Sequence, residues 1–215
     1  MSHDVATRAA TPTLPVSLRL AALSLAASGI LVAAALPWHP DILRHPLDQA
    51  VRAFPAWAAL HAAGALAAVL SLVGASGVVA AHDDRLGRLG RSALLVSFVG
   101  SLAATALFAV EAITFPVLAA QSPQLLAPGG SLTGSRLLIG LAGLAVAWPV
   151  GLLLLGVAAA RAHLFPVQAG VLLALTATAF LVLYVPFVPV AGPLAVVAFG
   201  VAEVCWGWLL WREGG

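Results

Sequence analysis

The chain alternates between long apolar runs and short clusters of polar residues and prolines. One helical crossing of a bilayer needs about 20 mostly apolar residues, and six runs meet that need, at about 17–37, 57–81, 92–119, 136–160, 167–189 and 193–211. The first closes at Pro37, Trp38, His39 and Pro40, and the second at His82, Asp83, Asp84 and Arg85. A stretch rich in Gly, Pro, Ser and Gln separates the third from the fourth, between Gln121 and Ser135. Pro186, Pro189 and Pro193 predict a tight turn between the last two runs. Pro149 has no N–H to give its helix and predicts a bend beside Gly151. The first run is too long for a cleavable signal peptide and lacks a convincing cleavage site, so it is read as a span. The pattern predicts an all-α, polytopic transmembrane bundle of six helices over 17–211, with an N-terminal tail at 1–16 and a C-terminal tail at 212–215.

Composition agrees with the pattern. The 215 residues are 62% hydrophobic and 8% charged, with a mean hydropathy of +1.06. A soluble domain carries roughly 25% charged residues, so this chain has too few to cover a water-facing surface. A formal charge of +2 gives no basis for nucleic-acid binding. The expected partners are membrane lipids, with a second membrane protein or another copy of the chain beside them. Cys205 is the sole cysteine, which excludes an intrachain disulfide and a cysteine metal cluster; it is read as a small packing residue.

Lysine is absent, so arginine alone marks orientation. Arg85, Arg88 and Arg91 lie between the second and third runs, Arg161 between the fourth and fifth, Arg8 and Arg19 near the start, and Arg212 near the end. The positive-inside rule puts these segments, and hence both termini, in the cytoplasm of a cell-membrane protein. Arg44 and Arg52 in the first outer segment are exceptions, accompanied by Asp41 and Asp48. Trp38 and Trp57 then sit at the outer interface and Trp211 at the inner one.

Placing the helices isolates three costly residues. Glu111 lies about eight residues before the end of its span, about 12 Å below the surface at 1.5 Å per residue. Glu203 is near the middle of the sixth span, and His61 one turn into the second. An ionisable group at such depth faces the bundle interior or water, and marks a candidate ligand or proton site. His61 and Glu111 lie at similar depths on antiparallel neighbours, so a hydrogen-bonded pair is expected. Gly200, Glu203 and Gly207 share one helix face, which points to tight packing around the carboxyl. His61, Gly64, Ala65 and Ala68 form a similar small-residue face.

The outer segment from Trp38 to Trp57 offers a second chemistry. His39, Asp41 and His45, with His61 nearby, are residue types that ligate zinc or copper, although their spacing matches no strong metal motif. A membrane haem needs axial histidines, and His61 with His39 is the pair available near this face. His82 and His163 are read as interfacial caps at cytoplasmic helix ends. No nucleotide loop, Ser-His-Asp pattern or zinc-protease motif occurs. Weak markers recur between the halves: Phe54-Pro55 against Phe165-Pro166, and Glu111 against Glu203. Three spans per half would make them an inverted repeat.

The histidine-proline pair after the first span, Trp57 and His61 opening the second, and Glu111 late in the third give the chain a resemblance. It resembles a broad group of uncharacterised bacterial multi-pass membrane proteins of about six spans. The resemblance covers most of the chain on short motifs, and it implies a topology but no activity. Two functional readings follow from the residues. One is a non-catalytic module that binds a small molecule, lipid or partner through an outward-facing polar site, with proton-coupled transport as its neighbour. The alternative is a membrane enzyme holding haem or a divalent metal through outer-face histidines.

Overall fold

The computed structural model describes residues 16–213, and among them every regular element is helical. The N-terminal tail with Arg8, and Gly214 and Gly215, lie outside the described residues. Helix α1 (Val16–Ala35) runs into a 3-10 turn at Leu36–Trp38, and a short helix α2 (Leu47–Ala53) follows. Helix α3 spans Trp57–Gln121, α4 Arg136–Ala145, α5 Ala147–Arg161, α6 Val167–Ala179 and α7 Ala191–Glu213, with a π-helical turn at Phe180–Tyr184 after α6. Five helical segments are long and apolar enough to cross a membrane. Their outward side chains are large and apolar, as at Ile113 and Leu137, which are 73% and 84% exposed.

The 65 residues of α3 are two arms, not one rod. His82 and Gly87 have non-helical dihedrals, and Gly87 sits at φ 56, where a residue without Cβ is favoured. The arms fold back side by side. Trp57 meets Glu111, Gly64 packs on Phe108, and Thr105 reaches the carbonyl of Ala65. The polar cluster at His82–Arg85 therefore turns the chain while helical hydrogen bonding resumes almost at once.

Proline explains the other breaks. Pro149 cannot donate to the carbonyl of Ala145, and the helix divides one turn before it, between α4 and α5. Pro186 and Pro189 stop the continuation of α6, and Phe187 and Val190 take left-handed φ values of 54 and 64 in that turn. The Tyr184 hydroxyl donates to the Leu36 carbonyl at 3.0 Å and ties this turn to the end of α1.

Small residues set how closely the helices approach, as they do where lipid removes the hydrophobic drive between helices. A Cβ at Gly200 would strike the carbonyl of Gly29 and come within 2.9 Å of Ala33. One at Gly207 would lie 2.6 Å from the Ala22 carbonyl. The glycine stripe of α7 thus seats α1. At the next interface, a Cβ on Gly100 would strike the backbone at Ala147 and Trp148. Trp148 meets Phe180 and Phe199 edge to face, Phe180 and Phe199 lie tilted against each other, and the three rings join α5, the π turn and α7.

One end of the bundle collects arginine. Arg85 donates to the carbonyls of Ala162 and His163 at 3.2 and 2.7 Å, so the α3 turn meets the α5–α6 connection there. His82 pairs with Glu213 at 3.2 Å, and Arg19 lies over the Trp211 ring, which brings the start of α1 and the end of α7 to the same end. His82 also donates from Nδ1 to the Val78 carbonyl at 3.0 Å, so it caps and pairs at this helix end.

Gly200→Val should lower the thermal unfolding midpoint of the detergent-solubilised protein, a cost of about 1–3 kcal/mol for overpacking. Gly140→Ala, whose added Cβ meets nothing within 4 Å, should leave the midpoint unchanged or raise it.

Candidate functional site

At the end opposite the arginine cluster, three polar side chains converge, one from the cap of the 3-10 turn and one from each arm of α3. His39 caps the 3-10 turn at Leu36–Trp38, giving its backbone N–H to Leu36. The proline that follows keeps it extended, at φ −63 and ψ 125. Its ring Nδ1 lies 2.7 Å from the Pro40 carbonyl. His61, one turn into α3, has its Nδ1 2.7 Å from the Trp57 carbonyl and is fully buried. Glu111 comes from the returning arm of α3. Its Oε2 lies 3.3 Å from His61 Nε2, which is the pair expected from sequence. The Trp57 indole donates to the Glu111 backbone carbonyl at 2.9 Å, fixing the arms in register.

The hydrogen bonds determine where the ring protons are. A carbonyl oxygen only accepts, so both Nδ1 atoms carry hydrogen. In a neutral ring this leaves each Nε2 as a bare lone pair. The two Nε2 atoms are 3.2 Å apart. Three lone-pair atoms at these separations repel unless a positive centre lies among them. A proton among them removes that repulsion, carried by a ring Nε2 or by the Glu111 carboxyl facing His61. Burial holds the His39 pKa below the ordinary histidine value and so favours the neutral ring, while the bond to the Pro40 carbonyl acts in the opposite direction.

Aromatic rings enclose the cluster. Trp57 stacks on His61 at 4.3 Å and 28°, Phe108 meets His61 edge on, and Phe187 lies 5.2 Å from His39. On its exposed side His39 lines a cavity of about 280 Å³ shared with Asp41, Arg44, His45, Tyr184 and Phe187. His39 thus faces the surface through this cavity, His61 is enclosed, and the Glu111 side chain keeps a 15% exposure of its own.

The remaining candidates lie apart from it. Asp41 accepts from the backbone N–H groups of Leu43 and Arg44 at 3.0 and 3.2 Å and pairs with Arg44, so its carboxylate builds the loop. His45 is exposed. His39, Asp41 and His45 share a cavity wall but do not converge, and among the described residues no group of three or more His, Cys, Asp or Glu is gathered as a metal shell. The contact between the His39 and His61 Nε2 atoms also leaves no room for a porphyrin plane between them.

Glu203 forms a separate polar knot, level with Ser71 and so ten residues, or about 15 Å along the helix, from His61. It is fully buried, with Ser71 Oγ donating to Oε1 at 2.7 Å and Ser28 Oγ 3.0 Å from Oε2. Ser28 also gives a hydrogen bond to the Ala67 carbonyl at 2.9 Å. A hydroxyl has one hydrogen, so when Ser28 gives it to Ala67, the Glu203 carboxyl donates to Ser28 as a neutral acid. This knot joins α1, α3 and α7 and has its hydrogen bonds satisfied.

Sequence reading missed Ser28 and Ser71 as partners of Glu203, and Trp57 and Tyr184 as supports of the first cluster. The i, i+4 spacing of Trp57 and His61 was a usable signal; the others depend on which helices meet. The chain matches no known protein family, no curated protein and no solved structure.

Glu203→Leu should destabilise the bundle by about 1–3 kcal/mol, because two buried serines lose an acceptor or a donor. Glu203→Gln, which both accepts and donates, should cost clearly less. Unfolding midpoints of the two variants in the same detergent provide the comparison.

Proposed function

We propose that this chain is a six-span membrane protein with both termini in the cytoplasm, acting as a non-catalytic binding module through an outward-facing site at His39, His61 and Glu111. The observation that carries it is the buried convergence of His61 Nε2 with His39 Nε2 and Glu111 Oε2 in an otherwise apolar bundle. Six crossings are supported by the two antiparallel arms of α3, each long enough to span. The orientation is supported by Arg19, Arg85, Arg161 and Arg212 lying at the end away from the site. The ligand is a small molecule, a lipid or part of a partner protein that reaches the cluster past His39. The resemblance to uncharacterised bacterial multi-pass proteins belongs to this proposal through His39, Trp57, His61 and Glu111.

Proton-coupled transport is less well supported, because Glu203 would have to break its bonds to Ser28 and Ser71 to take part. A haem enzyme using His39 and His61 is disfavoured by their direct contact.

Two measurements test the proposal. Fluorescent-protein fusion after Trp211 should be bright and a phosphatase inserted at 122–135 active; the reverse pattern would reject the orientation. Native mass spectrometry of protein extracted in lipid should find a bound non-protein component, lost in Glu111→Gln while the fold persists. Identical occupancy in wild type and Glu111→Gln would remove the cluster from the binding site.

A further inference from the structure

We propose that the arginine end of the bundle holds one anionic phospholipid, with its phosphate on Arg85 and Arg161 and one acyl chain along the outer face of α5. The site lies away from the histidine cluster and needs only that the bundle crosses a bilayer.

The cations come first. Arg85 spends Nη2 on the carbonyls of Ala162 and His163, at 3.2 and 2.7 Å. That contact sets its guanidinium beside the backbone that carries Arg161. Nε and Nη1 of Arg85 make no hydrogen bond among the described residues, and the exposed side chains of Arg88 and Arg161 have no partner there. A Cβ at Gly151 would strike Ser97 and one at Gly100 would strike Trp148, so the return arm of α3 runs antiparallel to α5 in a register that carries Arg88 to the level of Arg161. Asp83 pairs with Arg91 and Glu213 with His82, and among the described residues no ion pair joins Asp84 to these arginines. Guanidinium groups gathered at one level with free N–H donors suit an anion with several acceptor oxygens. A phosphodiester is such an anion, and arginine binds it through two parallel hydrogen bonds.

The depth is that of lipid phosphate. From Trp57 to Ala81 the first arm of α3 rises about 37 Å at 1.5 Å per residue, more than the roughly 30 Å of a hydrocarbon core. The elbow at His82–Gly87 therefore lies in the headgroup layer. Trp208 and Trp211 are half-exposed at the same end of the bundle, where interfacial tryptophans sit, and Arg212 and Arg19 lie over their rings.

A place for the acyl chain adjoins the cations. Val150, Leu154, Val157 and Arg161 fall at i, i+4, i+7 and i+11, on one face of α5. The three apolar residues are half-buried, because α5 is seated between α3, where Gly151 meets Ser97, and α6, where Gly156 meets Ala174. The flanking helices stand further out, with Leu95 and Leu175 65% and 63% exposed. The recess is an apolar groove that ends in an arginine. From Arg161 to Val150 it runs about 16 Å, the hydrocarbon depth of one leaflet. A soluble anion would use the arginines and leave the groove empty, whereas a phospholipid uses both.

The test titrates the full chain in detergent micelles with dioleoyl phosphatidylglycerol or dioleoyl phosphatidylcholine and reads retained lipid by native mass spectrometry. One phosphatidylglycerol per chain is expected, with phosphatidylcholine held more weakly because its choline offsets the phosphate. Arg85→Gln and Arg161→Gln should each lower retention about fivefold, the equivalent of about 1 kcal/mol per cation near a lipid surface. Arg161 makes no contact in the bundle, so Arg161→Gln keeps the test valid if Arg85→Gln fails to fold. Val157→Trp, which fills the groove and keeps every charge, should also weaken retention. Arg44→Gln and Arg136→Gln at the other end, and Glu111→Gln in the histidine cluster, should retain the lipid as wild type does. Excess inorganic phosphate should not displace it. Equal retention of the two lipids, retention unchanged in Arg161→Gln or Val157→Trp, loss in Glu111→Gln, or full displacement by phosphate would overturn the site.

Discussion

A polar side chain in an apolar bundle has little water to turn to; some, such as Ser76 and Thr178, bond back to their own helix, and those that reach another helix decide which faces meet. Each unsatisfied buried group costs several kcal/mol in hydrocarbon. Glu203 meets the requirement with two serines from two other helices, and His61 meets it with Trp57, His39 and Glu111. The helices are apolar over most of their surfaces, so these few contacts, with the glycine seats, fix which faces meet. Hydrophobicity alone distinguishes poorly among faces that are equally apolar.

The two polar knots answer the same constraint in different ways. At Glu203 the accounting closes among protein atoms: hydroxyls and a carboxyl can exchange donor and acceptor roles until every atom is paired. At His61 backbone carbonyls have claimed the Nδ1 hydrogens, so the two Nε2 atoms and the Glu111 carboxyl depend on a proton held among them. A fully satisfied network rigidifies a core. The location of each fits its state. Glu203 is sealed between α1, α3 and α7, while the histidine cluster sits at the end of the bundle, with His39 on a cavity wall.

Three backbone irregularities lie at the same end as the histidine cluster, apart from those at His82, Gly87 and His163 at the other. Left-handed Phe187 and Val190, the π turn at Phe180–Tyr184, and the proline-flanked 3-10 turn at Leu36–Trp38 all lie beside the cluster. Proline removes donors that a continuing helix would need, so the chain turns there, and Tyr184 rejoins the pieces through the Leu36 carbonyl. Rings of Phe187 and Trp57 then pack on His39. The irregular backbone is what lets His39 lean inward over His61 when a regular helix would have carried it past.

What the sequence determined by itself is the class of fold and the identity of its expensive residues. Runs long enough to cross a bilayer, breaks at Pro149 and at Pro186–Pro189, and the depth of His61, Glu111 and Glu203 follow from local composition and helix rise, which need no knowledge of neighbours. The pairing of His61 with Glu111 was legible because an antiparallel turn between adjacent segments leaves little choice of partner. Helix α2 was missed, although Leu47, Ala50, Val51 and Phe54 carry a helical spacing, because the prolines around it read as loop. Only the tertiary structure decided that His39 joins His61 while Asp41 and His45 stay outside, and that Ser28 and Ser71 close around Glu203. Those contacts join segments distant in the chain, and apolar helices of similar composition carry no local mark of which neighbour they will meet.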